Sequence, residues 1–191
     1  MYIDPRRKRS FKKTLEANFL LLVAFMLVSV SYSQTSNLVA TSNGGVLISC
    51  PSQWDNVGIY SCQALNDDIL NNDGWASAQN TSALNFDFRF SGSQTAFISQ
   101  FRINTGTGEG VYWSRDIQIF TSNNNGTTWV LRQTATLPNS DNTLTYNITS
   151  VQANRVRLRI LDGYSNDFWE LGEFEAIGSF VDQCDLAASG N

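Results

Sequence analysis

The chain has 191 residues, no histidine, three cysteines, and 42% hydrophobic against 16% charged residues, a balance that supports one domain with a packed core and excludes a disordered chain. Residues 1–33 hold six basic side chains and two acidic ones, which leaves seven arginines, no lysine and 15 acids in residues 34–191, a net charge of −8. A surface of that sign repels phosphate backbones, so no nucleic acid is expected as a partner, whereas calcium, which takes carboxylate and carbonyl oxygens, suits it.

The first element is an export signal. A basic region through Lys13 precedes the apolar run from Phe19 to Val30, and Ser31-Tyr32-Ser33 offers a small-x-small cut before Gln34. The run is shorter than the roughly 20 apolar residues of a membrane span. Segment 1–33 therefore reads as a signal peptide, with an uncleaved anchor as the alternative. Either way the remainder faces a secreted, extracellular or cell-surface environment, where disulfides persist. Cys50 and Cys62 lie close in sequence and are expected to close a short loop, while Cys184 could pair with either if the termini meet. Without histidine or a Cys-x-x-Cys pair, a zinc-type site is disfavoured.

From Asn37 onward, short apolar segments alternate with polar turns, and helix-period stripes are missing. Leu84, Phe86, Phe88 and Phe90 alternate with Asn85, Asp87 and Arg89. Next come Phe97, Ser99, Phe101 and Ile103 (with Ile98 also apolar), then Ile117 and Ile119. Leu144, Tyr146 and Ile148 follow, then Val156, Leu158 and Ile160, and a last strand near Phe174 to Ile177. Gly, Asn, Asp and Ser fill the turns at 104–110, 122–126 and 139–142. This pattern predicts an all-β fold, an antiparallel β-sandwich of jelly-roll type. Arg155, Arg157 and Arg159 read as the solvated face of a strand, with a polyanion-binding stripe as the alternative. The tail DLAASGN (185–191) matches NLVATSN (37–43) at Leu38/Leu186, Ala40/Ala188 and Asn43/Asn191. Residues 34–180 are thus expected to be one domain, and 181–191 a tail that starts a second, tandem or fused copy. Three N-glycosylation sequons begin at Asn80, Asn125 and Asn147.

The stretch ALNDDILNNDGWAS (64–77) resembles the Asp-Gly-x-x-x-Thr-x-Trp segment of discoidin domains, the coagulation factor 5/8 type C family that includes the family 32 carbohydrate-binding modules. Asp68 takes the place of the family Asp, and Trp75 falls seven residues later. SNNNGTTW (122–129), RVRLRI (155–160) and LGEFEAIG (171–178) resemble three further family segments in the same order. The resemblance spans 37–178 and implies a galactose-binding-like jelly roll that binds sugars, lipids or proteins through loops at one end.

It also implies a structural calcium between the early Asp loop and the Glu of the closing strand. By position, the side-chain ligands would be Asp68, Asp73 and Glu173, with carbonyls from Leu65, Leu70 and Gly172. The family Gly is replaced by Ile69, which puts the left-handed backbone of that loop in question. Trp75 and Trp129 occupy family positions that are core. Trp54, Tyr60, Trp113, Tyr164, Phe168 and Trp169 lie in loop-like stretches. An aromatic face there would stack on a sugar's C–H face while polar neighbours bind its hydroxyls. Phe168 and Trp169, before the closing strand, lead as ligand contacts, with Tyr164, Trp113, Arg102 and Asn104 beside them.

The absence of histidine removes the usual nucleophile systems. Glu170, Glu173 and Glu175 invite a glycosidase-pair reading, but the resemblance assigns Glu173 to calcium. The expected function is a non-catalytic module that binds carbohydrate or cell-surface glycan in adhesion. The alternative is an adhesive domain that contacts protein or a membrane surface within a larger chain.

Overall fold

The computed structural model describes residues 34–70, 73–79, 82–106 and 110–181. Segment 1–33, the repeat-like tail with Cys184 and the Asn80 sequon lie outside the described residues.

Among the described residues there are eleven strands: β1 Ser36–Asn37, β2 Val46–Ser49, β3 Trp75–Ala76, β4 Leu84–Arg89, β5 Ala96–Asn104, β6 Ser114–Ser122, β7 Val130–Thr136, β8 Thr143–Ala153, β9 Arg155–Gly163, β10 Glu170–Leu171 and β11 Glu173–Phe180. They pair antiparallel as a four-stranded sheet β1-β11-β5-β8, a five-stranded sheet β2-β4-β9-β6-β7 and a small pair β10-β3. The two larger sheets enclose one core, as the alternation predicts. Leu84, Phe86 and Phe88 of β4 and Val156, Leu158 and Ile160 of β9 point inward, and their charged neighbours point out. Each such side chain, fully buried, contributes roughly 1.5–3 kcal/mol.

Strand β5 departs from simple alternation. Phe97 is 45% exposed while Ala96 and Ile98 are buried, so the inward set of the first half is offset by one from the expected one. The register shifts between Ile98 and Gln100 against β8, and between Ile177 and Gly178 against β11. One inserted residue flips the facing of every side chain before it, and Phe101 and Ile103 recover the expected parity.

Trp75 is in the core, against the Phe86 ring at 4.8 Å. Trp129 is not. It is half-exposed on the outer face of the five-stranded sheet, with the Arg157 guanidinium 4.2 Å from its ring centre. The strand that follows it, β7, is an edge strand of that sheet.

Candidate ligand-binding site

Three connections meet around the small β10-β3 pair: residues 50–62, 110–113 and 164–169. The first is closed by the Cys50–Cys62 disulfide, with the Cα atoms 5.9 Å apart. Ser52 fixes the same loop to the body, since its carbonyl accepts from Trp75 Nε1 (2.8 Å) and its hydroxyl from Ala78 N (2.9 Å). The backbone N–H of Trp54 donates to the Ala76 carbonyl at 2.9 Å, and that of Tyr60 to the Gly74 carbonyl at 2.7 Å. From the opposite side, Glu170 N donates to the Tyr112 carbonyl at 2.8 Å, and Trp113 bridges to Glu170.

Between these segments lies a cleft of about 200 Å³ lined by Trp54, Tyr60, Ala76, Phe168 and Glu170. That is below the roughly 300–1,000 Å³ of drug-sized pockets and leaves room for one small ring. Trp54 is 58% exposed, and its ring centre is 5.6 Å from that of Phe168. Tyr112 stacks on the far side of Phe168 at 4.2 Å. Tyr60 has φ +69, a left-handed conformation that a bulky residue holds only when its surroundings fix it. Here its hydroxyl donates to Asp73 Oδ2 at 2.9 Å. That hydrogen bond, then burial and the negative charges nearby, push the phenol up to about 12. Tyr60 therefore stays a neutral donor across the physiological range. The cleft combines exposed aromatic faces with a buried carboxylate, Glu170, that can accept from hydroxyls.

Of the ligand contacts expected from sequence, Phe168 lines this cleft. Trp113 and Trp169 do not, being 6% and 2% exposed. Trp169 packs against Gly163, and its Nε1 donates to the Ser165 carbonyl at 3.0 Å, so the core has absorbed it. Tyr164 is exposed but turns its hydroxyl to the Leu137 carbonyl (2.7 Å), with Arg115 over its ring. Asn104 is buried and structural: Nδ2 donates to Thr143 Oγ1, and Oδ1 accepts from Gly106 N. Arg102 forms an ion pair with Glu175 at 2.8 Å, away from the cleft. Sequence reasoning counted Trp54 and Tyr60 among the loop aromatics without ranking them as ligand contacts, weighed Glu170 only as part of a carboxylate pair, and left Tyr112 out. The signal that could have ranked the first two is that both fall inside the cystine loop.

The expected metal ligands separate into two groups. Glu173 is fully buried; Oε1 accepts from Asp68 N at 3.4 Å, and Oε2 has no hydrogen-bond partner. Burial first, and then the charge of Asp67, push its carboxyl up to about 9. Burial also raises the Asp67 carboxyl. Asp68 adopts φ +65, so the left-handed residue of this loop is the Asp itself and Ile69 is spared it. Its carboxylate is engaged by Asn37 Nδ2 and Ser42 Oγ. Asp73 belongs with Tyr60 instead. Among the described residues, no three acidic, histidine or cysteine side chains converge as a ready-made metal site. Leu65 is buried at the end of a 3₁₀ turn, Leu70 is half-buried, and Gly172 packs against Gly106 and Asn104.

The sequence matches no family model, and no curated protein is similar to it in sequence. Similarity appears among solved structures. A module from Clostridium perfringens, CpGH89CBM32-5, in complex with GalNAc-β-1,3-galactose, aligns with a TM-score of 0.59 at 16% identity, over 74% of this chain and 99% of that one. The family 32 module of C. perfringens NanJ, in complex with galactose, gives 0.60 at 15% identity, over 75% and 99%. The family 32 carbohydrate-binding module of Streptococcus pneumoniae EndoD gives 0.57 at 15% identity, over 74% and 98%. These likenesses show the fold, an antiparallel galactose-binding-like β-sandwich.

Proposed function

We propose that residues 34–180 form a secreted or cell-surface, non-catalytic carbohydrate-binding module of discoidin type, with its ligand in the Trp54–Phe168 cleft. The observation that carries this is the cleft itself. A cystine-closed loop presents an exposed indole beside a stacked Phe168–Tyr112 pair, and the buried carboxylate of Glu170 lines the same cleft. Sugars bind to such sites by C–H stacking and hydroxyl hydrogen bonds. The solved structures of this fold that hold galactose or a galactose-containing disaccharide support the ligand class. Glu173 and Glu175 do not line the cleft, which argues against a glycosidase pair there. A glycan array with wild type, Trp54→Ala and Phe168→Ala tests the reading. Binding to defined glycans that both variants lose supports it; glycan silence together with capture of a cell-surface protein favours the adhesive alternative. Val57 and Ile59, exposed on the same loop as Trp54, are what that alternative would use.

The reading includes a structural calcium, in a form revised by the geometry. The orphaned Oε2 of buried Glu173, with Asp67 and Asp68 as like-charged neighbours, is an arrangement that a cation would neutralise. Glu173 and the 65–70 loop would hold the ion, and its effect would be to tie that loop to β11. Export through segment 1–33 belongs to the same proposal, and the Cys50–Cys62 disulfide supports it.

A further inference from the structure

Strand alternation sends Arg89 of β4 and Arg155, Arg157 and Arg159 of β9 to the outer face of the five-stranded sheet. Four of the seven arginines of residues 34–191, a stretch of net charge −8, thus share one face. Their cross-strand register is Arg89 opposite Arg155, Asp87 opposite Arg157 and Asn85 opposite Arg159. On the other side of β9 stand Ser122, Phe120 and Gln118, none of them acidic. Like charges directly opposite one another destabilise a sheet, so the Arg89–Arg155 pair has no folding rationale.

Only Arg157 is neutralised: Nε and Nη2 donate to the two Asp87 oxygens at 2.6 and 2.8 Å. Among the described residues, Arg89, Arg155 and Arg159 make no side-chain hydrogen bond or ion pair, and the Nε of each is buried without a partner. The acids Asp116 and Asp162 lie toward the far end of the sheet, where Arg115 bridges them. Beside the stripe the half-exposed Trp129 ring supports Arg157.

We propose that this face is a second binding site, separate from the cleft, and that it takes an anionic polysaccharide. Alternate residues on a strand are about 6.6 Å apart, so Arg155 to Arg159 spans about 13 Å, and Arg89 lies about 5 Å to the side. That is a sparse, linear set of guanidinium forks. It matches sulfate or carboxylate groups spaced along a sugar chain. It does not match duplex DNA, whose charges fall every 1.7 Å or so and meet the repulsion of the rest of this acidic surface.

The test uses the mature chain and three probes: a heparin-derived octasaccharide, the same oligosaccharide desulfated, and a short DNA duplex, each titrated from about 50 to about 200 mM salt. The octasaccharide is expected to bind and to weaken as salt rises. Arg89→Gln with Arg159→Gln should lower its affinity at least about tenfold. Arg132→Gln, which removes the same charge from edge strand β7, should not. Retention of the desulfated probe would assign the anion to carboxylates, and its loss to sulfates. Arg89→Gln should leave Tm unchanged or raised, because it removes a like-charge contact; Arg159→Gln alone repeats the test with less change to the sheet. Failure of both oligosaccharides to bind, equal binding by duplex DNA, or wild-type affinity in the double variant would overturn the proposal.

Discussion

Replacing Glu173 by Gln should reverse how this domain responds to pH and calcium. The side chain is fully buried, and its carboxyl is raised to about 9 by burial and by Asp67. Without a cation, the folded state therefore holds a proton that the unfolded chain releases near its ordinary value of 4.5. The stabilisation is complete below about 4.5 and is lost as pH rises toward about 9. One proton sets the slope, at most about 1.4 kcal/mol per pH unit. For a domain of this size that is a fall in Tm of roughly 3–6 °C per unit. Calcium acts in the opposite direction by stabilising the ionised form, and at a hundredfold excess over its Kd it would contribute about 2.7 kcal/mol. Differential scanning calorimetry between about pH 5 and about pH 8, with calcium or with chelator, separates the terms. Wild type in chelator should lose Tm as pH rises and regain it with calcium. Glu173→Gln should show a weaker pH response, left to the raised Asp67 and Glu175 carboxyls, and no calcium response, and should exceed wild type in chelator at the alkaline end. A wild-type Tm that ignores both pH and calcium would refute the reasoning.

Removing the disulfide with Cys50→Ser and Cys62→Ser frees a loop of about 12 residues, which the chain-entropy relation values at about 3 kcal/mol. Calorimetry should show a Tm lower by roughly 6–12 °C, and binding in the cleft should weaken because Trp54 is released. Gly163→Ala drives a Cβ into Trp169 Cδ1, on an indole that is already buried. Overpacking of that kind costs about 1–3 kcal/mol, readable as a lower urea midpoint at constant m. Asp87→Asn weakens the paired bond to Arg157 and should cost about 1–2 kcal/mol. It also deletes the acid on the arginine stripe, so affinity for the heparin octasaccharide should rise, which the same titration measures.

The sandwich was legible because β4 and β9 are strict alternators, whose inward residues could only belong to a two-sided core. The β5 bulge was not, since Phe97 and Ile98 are both apolar and sequence does not say which one the extra residue turns outward. The cleft was half legible. Aromatics in loop stretches marked the region, but indole and phenyl are equally at home as ligand platform and as core. Burial divided them, with Trp113 and Trp169 going inward and Trp54 and Phe168 staying at the mouth. Tyr112 carried no signal before the fold brought it against Phe168. In the acidic loop, position in a motif favoured Asp68 over Asp67. The structure engages Asp68 with Asn37 and Ser42 and leaves Asp67 nearer to Glu173, a choice made by contacts distant in sequence.

The five tryptophan indole N–H signals allow the most direct test, by NMR titration with the glycan that binds best on the array. The account predicts that the Trp54 signal moves and saturates with the ligand while those of buried Trp113 and Trp169 and of Trp129 on the opposite site stay in place. A saturating glycan that leaves Trp54 unmoved would contradict it.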